Sequence, residues 1–87
     1  MHELSIALSL VDLGIEEAER RGVLVVAVHV RLGALSGVVR DALVLSYRVA
    51  AEGTPLEHSR LVIQETAGTD LELVALEVAN EHSSAID

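Results

Sequence analysis

Cysteine, lysine, phenylalanine and tryptophan are all absent from this chain of 87 residues, and Pro55 and Tyr47 are its only proline and its only aromatic residue. Without thiols the chain forms no disulfide and no thiolate zinc site, and cysteine usage says nothing of its redox compartment. A single aromatic ring provides no base-stacking platform for single-stranded nucleic acid. Positive charge is scarce as well: six arginines face fourteen acids, a formal net charge of -8, which excludes attraction to phosphate backbones and to anionic membranes. No apolar run approaches the roughly 18 residues of a membrane span, and the start of the chain lacks a basic segment leading into an apolar one. A soluble cytoplasmic protein is expected, with no nucleic-acid or membrane partner.

What is present is aliphatic. Hydrophobic residues make up 51 % of the chain, so the core must be built from Leu, Val, Ile and Ala. A domain this short buries only about 60 to 65 % of its unfolded surface, and its stability margin is thin. From Glu3 to Arg21, Leu4, Ile6, Ala7, Leu8, Leu10, Val11, Leu13, Ile15 and Ala18 fall on a broad helical face, while Asp12, Glu16, Glu17 and Glu19 fill the other. Arg20 and Arg21 suit the helix C-terminus, Gly22 supplies a left-handed cap, and Gly14 in mid-helix costs about 1 kcal/mol relative to Ala. Val23 to Leu32 is β-branched and apolar, as a buried strand requires. A second helical pattern runs from Val38 to about Glu52-Gly53, where Thr54-Pro55 forbids continuation. Arg60–Thr66 and Asp70–Val78 read as strands, joined by Ala67-Gly68-Thr69 in a tight hairpin with Gly68 at positive φ. The fold class is therefore α/β (α+β): two helices on a small three-stranded mixed sheet, in the order α-β-α-β-β. The first two strands are parallel through one crossover. Residues 1–79 form the domain and 80–87 a polar tail.

The chemistry concentrates at Met1-His2-Glu3. A free α-amine, the amide nitrogen of residue 2 and the His2 imidazole close adjacent five- and six-membered chelate rings with their nitrogens in one plane. Planar nitrogen sets select Ni(II) or Cu(II) over Zn(II), which prefers a tetrahedron. The carboxylate or amide of Glu3 can complete the set. Histidine is too large for methionine aminopeptidase to remove Met1, so the amine stays where the site needs it. Alone, a His at position 2 is more often an exposed residue than a ligand.

Several segments in order sharpen this reading: MHELSIALSLVDL, EEAERRG, VVAVHVRLGALSGV, AAEGTPLE and LELVALEV. Together they resemble the HypA/HybF family of nickel metallochaperones over nearly the whole chain. The resemblance implies a nickel site at Met1, His2 and Glu3 in a mixed α/β domain. It also implies delivery of Ni(II) in [NiFe]-hydrogenase maturation, with a maturation GTPase and the hydrogenase large subunit as partners. Two departures stand out. Family members carry a four-cysteine zinc module between the last two strands, where this chain has Ala67-Gly68-Thr69, so no zinc is expected. An acidic residue often follows the LSGV segment and is linked to the nickel site, whereas Val39 stands here; Asp41, about 200° further round a helix, does not replace it.

The other candidates read as structural. His29 is a satisfied strand histidine, His58 and His82 are solvated, and Glu16, Glu17 and Glu19 are the wet face of a helix. Ser36 and Ser59 have no histidine-acid arrangement near them in sequence, and Gly33 to Gly37 matches no phosphate-binding loop, so the chain is not expected to be an enzyme. The alternative to nickel delivery is a structural or interaction domain, natural or engineered, from which the zinc module has been removed. Self-association into a homo-oligomer is also expected. The strands are apolar on alternating positions of both faces, one helical layer covers only one face, and the short hairpin invites exchange.

Overall fold

The computed structural model describes residues 2–80. Helix α1 (Glu3–Arg21) buries Ala7, Leu10, Val11 and Gly14, a narrower stripe than the broad apolar face read from the sequence, since Leu4, Leu8 and Leu13 are exposed. It ends on Gly22 at φ 64°, whose N–H bonds the Ala18 carbonyl, the left-handed cap expected from the sequence. Gly14 also has a packing role. The fully buried Leu56, in the loop after the second helix, sits against it, and a Cβ at residue 14 would overlap the Leu56 Cδ2 atom. Helix α2 (Arg40–Ala51) buries Leu43, Tyr47 and Ala51. It starts two residues later than the sequence pattern suggests. Val39 is held extended as the N-cap, and the Val38 N–H is taken by the Ser36 hydroxyl at 3.2 Å.

Strands β1 (Val23–Gly33), β2 (Arg60–Thr66) and β3 (Leu71–Asn80) complete the expected order α-β-α-β-β in one mixed sheet. β3 continues through Asn80, the first residue of the expected tail, and the rest of that segment, with His82, lies outside the described residues. β1 and β2 are parallel, as anticipated.

The expected hairpin is absent. The strand order is β2-β1-β3, so β3 pairs antiparallel with β1, and β1 separates it from β2. Nor does Gly68 have positive φ. The reason is hydrophobic: β1 has the most apolar sequence and gains most from the central position, whereas β2 and β3 carry more polar and charged residues, as edge strands can. The link 67–70 is long enough, since two inter-strand steps span about 9.6 Å and five extended residue steps reach about 16 Å. It passes over the end of β1. The N–H groups of Gly33, Ala34 and Leu35 donate to the carbonyls of Asp70, Thr66 and Gly68 at 2.7, 2.9 and 2.8 Å. Gly33 permits the crossing, because a Cβ there would lie 2.7 Å from the Asp70 nitrogen and closer still to Gly68.

One core joins both helices to one face of the sheet. Val25, Val28 and Val30 of β1 pack with Leu43, Tyr47, Ala7, Leu10 and Val11, flanked by Leu61 and Ile63 of β2 and Leu73, Leu76 and Val78 of β3. The opposite face is not the apolar surface that strand composition suggested. Register sets its side chains in three rows: Arg60, Ala27 and Glu77; Val62, His29 and Ala75; Gln64, Arg31 and Glu72. Bulges at Val26 and Val74, where the β1–β3 register slips, shift the alternation, which is why composition misassigned the faces.

Candidate functional site

The N-terminus of α1, the loop after β1 and the start of α2 converge at one end of the molecule. His2 is the N-cap of α1, in extended conformation (φ -85°, ψ 112°) and exposed, and its imidazole makes no capping hydrogen bond. Its carbonyl accepts the Ile6 N–H at 3.3 Å, which starts the helix. Glu3, the first helical residue, turns its carboxylate across to the second helix, where Oε2 accepts the Val39 N–H at 2.9 Å. That hydrogen bond, then the carboxylate's bond to Glu3's own N–H, holds Glu3 below the usual carboxylate range. The charged form makes the contact, so it is present at neutral pH and is lost as pH falls through the lowered pKa. Met1 lies outside the described residues.

The loop is held by its own bonds. Ser36 N–H closes a turn on the Gly33 carbonyl at 3.0 Å, Gly37 takes φ 84°, and Leu35 N–H is tied to the link at Gly68. Leu4, Leu35 and Val39 are exposed at this end, Leu35 the most, at 72 %. Among the described residues, no three His, Asp or Glu side chains gather into a metal-holding cluster. The side-chain donors here are one imidazole and one carboxylate, beside main-chain nitrogens at a helix start.

In the sequence Val39 stands out only as the absence of an acid. In the fold its main-chain N–H lies against Glu3, 36 residues away in sequence. No local signal reports such a contact. The remaining candidates have structural partners or lie in solvent. His29 Nε2 is 3.3 Å from Glu77, His58 is exposed, Ser36 caps Val38, and the Ser59 hydroxyl bonds Tyr47 Oη and the Leu56 carbonyl, both at 2.6 Å. Burial pushes the Tyr47 phenol up, only partly offset by Ser59. Glu17 is paired with Arg20 and Arg21, which favour its charged form.

Fold and site together define a small two-layer α/β domain with an exposed histidine at the head of its first helix. A family model described as "Hydrogenase/urease nickel incorporation, metallochaperone, hypA" matches residues 1–71, and the chain belongs to this family. A protein named hydrogenase maturation factor HypA from Roseiflexus sp. (strain RS-1) is 59 % identical over 66 residues, covering 75 % of this chain and 54 % of its own length. Its namesake from Chloroflexus aurantiacus (strain ATCC 29366 / DSM 635 / J-10-fl) is 53 % identical over 66 residues, covering 75 % and 58 %. That of Deinococcus radiodurans is 42 % identical over 69 residues, covering 78 % and 58 %. The chain thus spans little more than half the length of these relatives. No helix among the described residues is long and apolar enough to cross a membrane.

Proposed function

We propose that this chain is a nickel-binding metallochaperone module that takes Ni(II) as cargo at Met1, His2 and Glu3, with no turnover of its own. The observation that carries this reading is the state of His2: exposed, at a helix start, its imidazole unused by capping. The first four N–H groups of a helix have no intrahelical acceptor, so the amides of residues 2 and 3 can lose their protons to a metal without breaking the helix. A positive ion at a helix N-terminus is disfavoured by the helix dipole, and deprotonated amides together with the Glu3 carboxylate offset that charge. A planar nitrogen set then favours Ni(II).

Membership of a nickel-incorporation family supports the same reading. On it, residues 1–79 are the nickel-binding unit, the 67–69 link stands in place of a zinc module, and delivery involves a maturation GTPase and the hydrogenase large subunit in the cytoplasm. Because the chain spans so little of its relatives, a second reading has support: an interaction domain that binds its partners without delivering metal.

Titration with Ni(II), followed by d–d absorption, tests the site. One ion per chain is expected, bound more tightly between about pH 6 and pH 8 as amide protons are released. His2→Ala, or one residue added before Met1, should abolish binding. Equal affinity in these variants would place the site elsewhere. EDTA should leave the circular dichroism spectrum and Tm unchanged, and loss of structure on chelation would reveal a structural metal.

A further inference from the structure

The uncovered face of the sheet differs from the rest of the molecule in charge. The chain as a whole has a formal net charge of -8. On this face Arg31 and Arg60 balance Glu72 and Glu77, and the face is formally neutral with His29 uncharged. Its charges are also sorted. The acids stand on β3 and the arginines on β1 and β2, joined across the strands by Arg31–Glu72 at 2.9 Å, His29–Glu77 at 3.3 Å and Arg60–Glu77 at 3.6 Å. The middle row, Val62, His29 and Ala75, is flanked by Val74, 46 % exposed. Among the described residues no second layer covers it.

We infer that this face is an interface for a second copy of the chain, placed by a two-fold axis parallel to β1. Two such chains repel at long range, and the neutral face is where they approach at least electrostatic cost. Face-to-face sheets pack with their strands within about 30° of one another, so each row of one copy lies over the same row of the other. An axis along β1 reverses left and right. Glu77 of one copy then meets Arg60 of the other, twice, and Glu72 meets Gln64. The two Arg31 side chains come together near the axis, each already held by its own Glu72. An axis across the strands would instead set acid over acid. Val62 and Ala75 of the two copies exclude water between the charged rows. This surface is separate from the proposed nickel site, so the two ideas fail independently.

Sedimentation velocity over about a hundredfold concentration range should show the mean mass rising from 9.3 kDa toward that of a dimer. Arg60→Glu and Glu77→Arg should each remain monomeric, because each makes row one carry a single sign of charge. Their equimolar mixture should associate, since the acidic row of one variant lies over the basic row of the other. Circular dichroism confirms that both fold. Gln64→Arg, which opposes Glu72 of the other copy, should tighten association several-fold and needs no disruptive change. A concentration-independent 9.3 kDa species for the unaltered chain would overturn the proposal. So would single reversals that associate normally, or a mixture that does not.

Discussion

The same three strands present two faces that solve the burial of apolar residues in different ways. Beneath the helices, Val25, Val28 and Val30 meet branched side chains from both helices and both neighbouring strands, and all three are essentially inaccessible. On the other face Ala27 is as fully buried, yet no helix among the described residues covers it. Its register neighbours are Arg60 and Glu77, which pair with each other, so long side chains whose stems are apolar and whose tips are charged close over a methyl group. An apolar strand therefore does not require a second layer on each face: where its outward residues are small, neighbouring arginine and glutamate side chains can cover them.

If the helical face holds the stability, damage there should exceed damage on the open face. Leu43→Ala removes a fully buried side chain from the core and should cost about 2 to 5 kcal/mol in urea unfolding. A loss under about 1 kcal/mol would mean that the core is loosely packed. Gly33→Ala brings a Cβ against the backbone of the crossing link, which cannot yield as a side chain can. A cost of about 1 to 3 kcal/mol is expected, with amide exchange quickened at Ala34 and Leu35, whose N–H groups hold the link. Neutral behaviour would show that the link is free to move.

Gly14→Ala sets two effects against each other. Helix propensity favours alanine by about 1 kcal/mol, while overlap with Leu56 costs about 1 to 3 kcal/mol. Net destabilisation is expected from thermal unfolding, and it should shrink or reverse in a Leu56→Ala background; a plainly stabilised single variant would mean that Leu56 has room to retreat. The smallest effect belongs to the open face. Arg31→Ala breaks an exposed pair with Glu72 and should cost less than about 1 kcal/mol, falling further in high salt. A larger loss would make the charged face a stability element comparable with the core.

Much of the local structure is legible in short runs of residues. The stripe on α1, the Gly22 cap and the break at Thr54-Pro55 each depend on spacing and end signals that act within a few positions. The structural character of His29 is also readable, from its place between valines in a strand. A hairpin and a crossing, by contrast, look alike in sequence. A link of that length serves either connection, and only the competition among three strands for the central place decides between them. The bulges at Val26 and Val74 leave no sequence signal either, and they reverse which alternate residues face the helices on the two sides of each bulge.

From the sequence alone came the two helices and three strands in their order, and a histidine and a glutamate directly after Met1. These follow from local periodicity and from the chemistry of adjacent residues. Tertiary structure alone decided that β1 lies between β2 and β3, that Gly33 is where the chain crosses itself, and that the Glu3 carboxylate meets the Val39 N–H. Each of these joins residues more than thirty positions apart. Such a contact depends on which of several locally equivalent pairings buries the most apolar surface once all the elements are assembled.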